Sequence, residues 1–165
     1  MKYLIVSDIH GDIAYINYLH QLVDIEQPDK IILLGDLMSL SDECSINVFI
    51  DKYRDKIVVI RGNCDFPTCF NIELLNFYRE VINGNVFIFT HGHLFGYNQM
   101  DCDVFVYGHT HKNNLSEENG VILFNPGSLA QPRGGTVNSY GLITDDDLII
   151  KDVDGNIIKK LSYKK

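Results

Sequence analysis

The 165-residue sequence predicts one α/β domain spanning 1–165, with strands from both halves in a central sheet or a two-sheet sandwich. Short apolar runs rich in β-branched residues recur, and each ends in a polar or glycine-containing cluster. The segment between the first two runs carries helical periodicity. Apolar residues at 45% and charged residues at 22% suit a chain that buries one real core.

Tyr3–Val6 opens as a strand buried on both faces. Asp12–Glu26 follows as a helix with Asp12 as N-cap and Pro28 as its stop. Ile13, Ile16, Leu19 and Val23 form one apolar stripe, and Tyr15, Tyr18, Leu22 and Ile25 a second. Ile31–Leu34 is the next strand, Ser45–Tyr53 a shorter helix and Ile57–Ile60 a third strand. This β-α-β-α-β order implies right-handed crossovers and a parallel sheet. Tyr78–Ile82 and Val86–Phe89 then flank the tight-turn signal Asn83-Gly84-Asn85. Val104–Tyr107 and Val121–Phe124 read as buried strands, and Ser139–Thr144, Leu148–Val153 and Ile157–Tyr163 as a closing meander.

Composition narrows the function classes. The net charge of −8 argues against duplex nucleic acid or an anionic membrane as partner. No apolar run approaches the roughly 20 residues of a membrane-spanning helix. Cys44, Cys64, Cys69 and Cys102 form no C-x-x-C pair. With no signal-peptide pattern at the start, reduced thiols and a cytoplasmic location are expected.

The polar clusters at the strand ends carry the chemistry. They are Ser7–Asp12, Gly35-Asp36, Arg61–Asp65, Thr90–His93 and Gly108–His111. Ligands of open α/β sheets gather at the carboxyl ends of strands, so all five clusters can face one crevice. Five of the six histidines lie in them; His20 falls in the predicted helix and reads as structural. Asp8, His10, Asp36, Asn63, His91, His109 and His111 are the candidate metal ligands. Seven groups exceed the needs of one transition-metal site and suit two ions sharing a carboxylate. Imidazole and oxygen donors favour Mn, Fe, Zn, Co or Ni. Asp-x-His, at residues 8–10, and His-x-His, at 109–111, place alternate side chains on one side of an extended chain.

The ordered series Asp8-x-His10, Gly35-Asp36, Gly62-Asn63-x-Asp65, His91-Gly92-His93 and Gly108-His109-x-His111 resembles the calcineurin-like metallophosphoesterases. The small size, Gly62-Asn63-Cys64-Asp65 and Asn125-Pro126-Gly127-Ser128 are similar to the YfcE-type phosphodiesterases within that superfamily. The resemblance implies a four-layer α/β/β/α sandwich and a dimetal-dependent phosphodiesterase acting on a small phosphodiester. Asp8, His10 and His111 would hold one ion, Asn63, His91 and His109 the other, and Asp36 would bridge them. The implied reaction is in-line attack of a metal-bridging hydroxide on phosphorus. Mn²⁺ is the expected ion, with Ni²⁺, Zn²⁺, Fe²⁺ and Co²⁺ as alternatives. Small relatives also imply a homodimer or homotetramer.

One position departs from the family pattern. A histidine that helps protonate the leaving group usually follows the motif asparagine, and here Cys64 stands instead. A thiol is a poorer hydrogen-bond donor than imidazolium, so good leaving groups are expected to react best. Asp36, Asn63, Cys64, Asp65 and His93 form the candidate catalytic set, with Asp65 bonding water or His93 and His93 orienting His91 or contacting substrate. Arg133 reads as a solvated loop residue with reach to a substrate phosphate. Phosphomonoesterase and scaffold functions on the same fold are the alternatives.

Overall fold

The computed structural model describes residues 1–40 and 44–164. The first half contains β1 (Tyr3–Val6), α1 (Ile13–Glu26), β2 (Lys30–Leu33), α2 (Ile46–Lys52) and β3 (Ile57–Val59). The second contains β4 (Phe77–Ile82), β5 (Asn85–Thr90), β6 (Val104–Val106), β7 (Asn113–Glu118), β8 (Val121–Pro126), β9 (Ser139–Ile143), β10 (Asp147–Asp152) and β11 (Ile157–Ser162).

These strands form two sheets. One runs β11-β10-β9-β1-β2-β3 and the other β4-β5-β6-β8-β7. β1 pairs parallel with β2 and β2 with β3, while β9 joins the far side of β1 antiparallel. The C-terminal meander therefore completes the sheet begun by the first residues.

Strand alternation divides the core between two layers. Leu4, Val6, Ile31 and Leu33 face α1 and α2. Tyr3, Ile5, Ile32 and Leu34 face the second sheet, against Phe87, Phe89, Val104, Val106 and Phe124. Each such fully buried aliphatic side chain contributes about 1.5–3 kcal/mol. Ile88, Phe105 and Leu123 point out from the second sheet and are covered by Tyr97, Met100 and Cys102. A 3₁₀ turn at Tyr97–Gln99 supplies the helical part of that cover. The layers thus run helices, sheet, sheet and a thin fourth layer, an α/β/β/α sandwich.

Asp12 caps α1, its carboxylate accepting the Ala14 and Tyr15 N–H groups at 3.0 and 3.3 Å. Gln27 ends the helix in the left-handed region at φ 49°. The predicted pair of apolar stripes is only partly realised. Ile16, Leu19, Leu22 and Val23 are buried, but Ile13 and Ile25 are exposed. One sheet face on one side of α1 leaves the ends of both stripes in solvent.

Glu26, at the end of α1, is buried and tied across to the meander. It accepts from Tyr140 Oη at 2.8 Å and Lys151 Nζ at 2.7 Å. Burial opposes its ionisation, but these two partners outweigh that and hold its carboxyl below the usual value. His20 packs edge-on to Phe49 with ring centroids 4.9 Å apart, a structural placement. Among the described residues, no helix is long and apolar enough to cross a membrane.

Candidate metal centre

The five polar clusters follow β1, β2, β3, β5 and β6 and meet at one end of the sandwich. Backbone bonds stitch the first two together: Asp8 N–H donates to Gly35 O at 3.0 Å and His10 N–H to Asp36 O at 2.9 Å. Gly108 N–H donates to His91 O at 3.1 Å, joining the fourth cluster to the fifth.

Asp8, His10, Asp36, His109 and His111 all lie in the left-handed region, with φ between 49° and 66°. Non-glycine residues rarely adopt it, and each such residue costs of order 1 kcal/mol. This corrects the strand-pleat reading of Asp-x-His and His-x-His. Asp8 and His10 share a side because two left-handed residues flank Ile9, which turns into the core. Glycines allow the tight crossing between loops. A Cβ on Gly62 would overlap the backbone nitrogen and Oδ1 of Asp36.

Two donor clusters result, and Asp36 belongs to both. Asp8, His10, Asp36 and His111 bring one ligand atom each to within 4.8 Å of the others, and so do Asp36, His91 and His109. In the first, His111 Nε2 lies 3.1 Å from His10 Nε2 and 3.3 Å from Asp8 Oδ1. In the second, His91 Nε2 lies 3.4 Å from Asp36 Oδ2 and 3.1 Å from Asn63 Oδ1. The structure thus brings together all seven predicted side chains.

The ring orientations are set from behind. His91 Nδ1–H donates to Leu34 O at 2.7 Å, and His111 Nδ1–H donates to Gln131 O at 2.7 Å. These bonds assign the tautomer and leave each Nε2 lone pair facing the cluster, the arrangement of a metal-ligating imidazole.

The donor set fits a cation. Asp8 is fully buried, and its Oδ1 has no hydrogen-bond partner. Among the described residues, Asp8 and Asp36 form ion pairs with histidines and none with lysine or arginine. Two buried carboxylates ringed by acceptor atoms need a compensating positive charge. Burial raises the Asp8 carboxyl above its usual value. Burial pulls the same way on Asp36, but its bond to His91, the His91 charge and the Cys64 N–H hold it well below. Burial works against the His91 cation, yet Asp36 and Asp8 outweigh it and raise its pKa. Burial lowers His10.

Asp65 is used differently from the expectation. Its Oδ2 accepts the Asp36 and Gly62 N–H groups, both at 2.8 Å. Its Oδ1 accepts Leu37 and Met38 at 2.8 and 3.3 Å. Asp65 therefore clips the Asp36 loop to the Asn63 loop, and its four contacts leave no bond to His93. Burial pushes its carboxyl up against the pull of these donors.

Cys64 is exposed beside Asn63, whose Nδ2 donates to Sγ at 3.3 Å. Desolvation and the neighbouring Asp36 carboxylate push the thiol up to about 11, so it stays protonated at neutral pH. His93 stacks edge-on to His91 with centroids 5.2 Å apart, and its buried Nδ1 has no partner. Orientation of His91 comes from the Leu34 carbonyl and not from His93.

Three holding groups escaped the sequence reading. Ser128 Oγ–H donates to Asp8 O at 2.7 Å. The carbonyls of Leu34 and Gln131 leave no side-chain signal at all. Asn125 holds both its turn and a neighbouring loop: its Oδ1 accepts Gly127 N–H at 2.9 Å, and its Nδ2 donates to Gly108 O at 2.9 Å and Thr110 Oγ1 at 3.1 Å, bracing the His109 loop. Arg133 is exposed, and its backbone N–H donates to His111 O at 3.0 Å.

An open cleft of about 570 Å³ is lined by His10 and Asn63 together with Cys64, Met38, Leu40 and Phe66. It gives an outside molecule access to the donor clusters.

Comparison with known proteins agrees with this geometry. The model of the calcineurin-like phosphoesterase superfamily domain matches residues 1–147. Phosphodiesterase YfcE of Escherichia coli is 30% identical over 169 residues, covering 91% of each chain. The solved structure of Yfce, a phosphoesterase from E. coli, matches with TM-score 0.90 at 26% identity, covering 99% of this chain and 100% of that one. Vps29 of Entamoeba histolytica, solved in complex with zinc, shares the fold at TM-score 0.71 and 23% identity, covering 99% and 100%. With the family model spanning most of the sequence, the chain belongs to the calcineurin-like phosphoesterase superfamily and is a metal-dependent phosphoric ester hydrolase.

Proposed function

We propose that the chain is a dimetal phosphodiesterase acting on small phosphodiesters, with Mn²⁺ as the preferred ion. The observation that carries this reading is the position of Asp36 in two acceptor-lined clusters at once. Asp8, His10 and His111 would hold one ion, Asn63, His91 and His109 the other, and Asp36 both. When bound, such a pair of ions acidifies a water and offsets charge on the phosphoryl oxygens.

The protein's own part is preorganisation. The Leu34 and Gln131 carbonyls fix the imidazoles, Asp65 fixes the loop of Asp36, and Ser128 fixes that of Asp8. Ligands held by packed loops need no reorganisation during reaction. Among the described residues lining the cleft there is no lysine or arginine. The charge of a bound phosphoryl group is therefore left to the metal ions to offset. YfcE, the relative described above, is named a phosphodiesterase, which supports a diester as the substrate. Cys64 offers the leaving group one weak S–H donor, so esters whose leaving groups need no proton react fastest.

The test is hydrolysis of bis(p-nitrophenyl) phosphate and p-nitrophenyl phosphate by EDTA-stripped protein, with Mn²⁺, Ni²⁺, Zn²⁺ or Mg²⁺ restored singly. Metal-dependent cleavage with the diester preferred supports the reading. Stoichiometric metal binding with no turnover favours the scaffold alternative, for which Cys64 and the shared Vps29 fold speak.

A further inference from the structure

The cleft beside the donor clusters has a mixed lining. His10 and Asn63 of the metal centre line it, with Ser39 and Gln131 as further polar groups. Met38, Leu40 and Phe66 line it too, Met38 only 3% exposed and Leu40 and Phe66 90% and 50% exposed. Single exposed apolar residues are ordinary. Two in one cleft, next to a charged centre, match the mixed lining of a small-molecule site.

Phe66 is also held firmly relative to the centre. Its neighbour Asp65 accepts four backbone N–H groups. Its own N–H faces Met38 Sδ at 3.4 Å. On its other side Pro67 begins a 3₁₀ turn at Pro67–Cys69. A half-exposed ring on a backbone fixed from both sides is a preformed platform rather than a loose surface group.

We infer that Phe66 and Leu40 form a seat for a flat aromatic ring carried by the substrate, with its phosphoryl group at His10 and Asn63. This rests on the phosphodiesterase reading and adds the substrate class: phosphoesters with an aromatic substituent. The ring lies either directly on the ester, as in aryl esters, or beyond a sugar, as in nucleotides. Offset stacking on Phe66 supplies the recognition, and the chemistry of the two sources is the same.

Calorimetry on Zn²⁺-loaded protein tests the seat with ligands that do not turn over. Methylphosphonate reports the metal end alone, phenylphosphonate adds a ring, and the non-hydrolysable methylenephosphonate analogue of a nucleoside 5′-monophosphate places the ring beyond a sugar. At least one ring-bearing ligand is expected to bind about fivefold to tenfold more tightly than methylphosphonate. Phe66→Ala removes most of that gain and Phe66→Tyr keeps it, while methylphosphonate binding stays the same in both. The Phe66 and Leu40 amide NMR signals shift with the ring-bearing ligand and not with methylphosphonate. Which ligand gains identifies the source of the ring. Equal affinity for all three ligands, or a gain that survives Phe66→Ala, overturns the seat alone. Failure of methylphosphonate to bind overturns the phosphodiesterase reading and the seat with it.

Discussion

Asp65→Asn isolates the clip that holds the candidate centre together. The substitution keeps size and shape but replaces one acceptor oxygen by an NH₂ group. In the native protein Oδ2 serves Asp36 and Gly62, and Oδ1 serves Leu37 and Met38. Whichever way the amide sits, two buried N–H donors face an N–H donor. Bonds to a charged acceptor contribute about 1.5–3 kcal/mol each, and stranding their donors adds to the loss. Partial relaxation of the loop recovers some of it, which leaves about 3–5 kcal/mol. For a chain of this length that lowers Tm by about 10 °C. Urea unfolding of the metal-free protein measures the loss, and metal titration measures the second consequence. Either Asp36 itself or its neighbour Leu37 is among the freed donors, so the Asp36 loop loosens and Mn²⁺ affinity falls at least about tenfold. Asp65→Asn within 1 kcal/mol of wild type, with unchanged Mn²⁺ affinity, would refute the clip.

Three further outcomes are expected. Gly62→Ala drives a methyl group into Asp36 and lowers diesterase activity at least about 100-fold, read as kcat/KM. Glu26→Gln costs about 2–3 kcal/mol at pH 7, because Lys151 loses its buried counter-charge. The folded Glu26 carboxyl sits below its unfolded value, so its contribution is complete above the unfolded pKa and is lost as pH falls through the folded one. Chemical denaturation at pH 7 and in acid therefore gives a wild-type-to-mutant gap that closes in acid, and a gap independent of pH contradicts the assignment. Cys64→His restores a stronger donor near the leaving group and speeds alkyl or nucleotide diesters by about 100-fold, with little gain on p-nitrophenyl esters; kinetics on both classes read the difference.

Much of this protein was legible because burial and ligation leave side-chain patterns. β1, β2 and β3 are runs of Ile, Leu and Val that alternate between two cores, and each ends at a ligand cluster. β7 gave no such signal. Asn113–Glu118 is polar and sits at a sheet edge, where Leu115 is the residue that packs into the inter-sheet core. The candidate ligands were readable as residue types at strand ends, but not the way they are aimed. Left-handed backbone at Asp8 and His111 follows from neighbouring loops, and a strand pleat, which would also place alternate residues on one side, does not foreshadow it. The groups that orient His91 and His111 are backbone carbonyls, which every residue has. Asp65 was visible as a motif residue, yet its four donors come from two loops brought together by tertiary structure.

The central claim is that Asp36 joins two metal sites, and metal content tests it most directly. Protein stripped with EDTA, dialysed against Mn²⁺ and assayed for bound metal should hold two ions per chain, and Asp36→Ala should hold fewer than one at the same free Mn²⁺. A single ion per wild-type chain at saturation, or two ions retained by Asp36→Ala, would contradict the account.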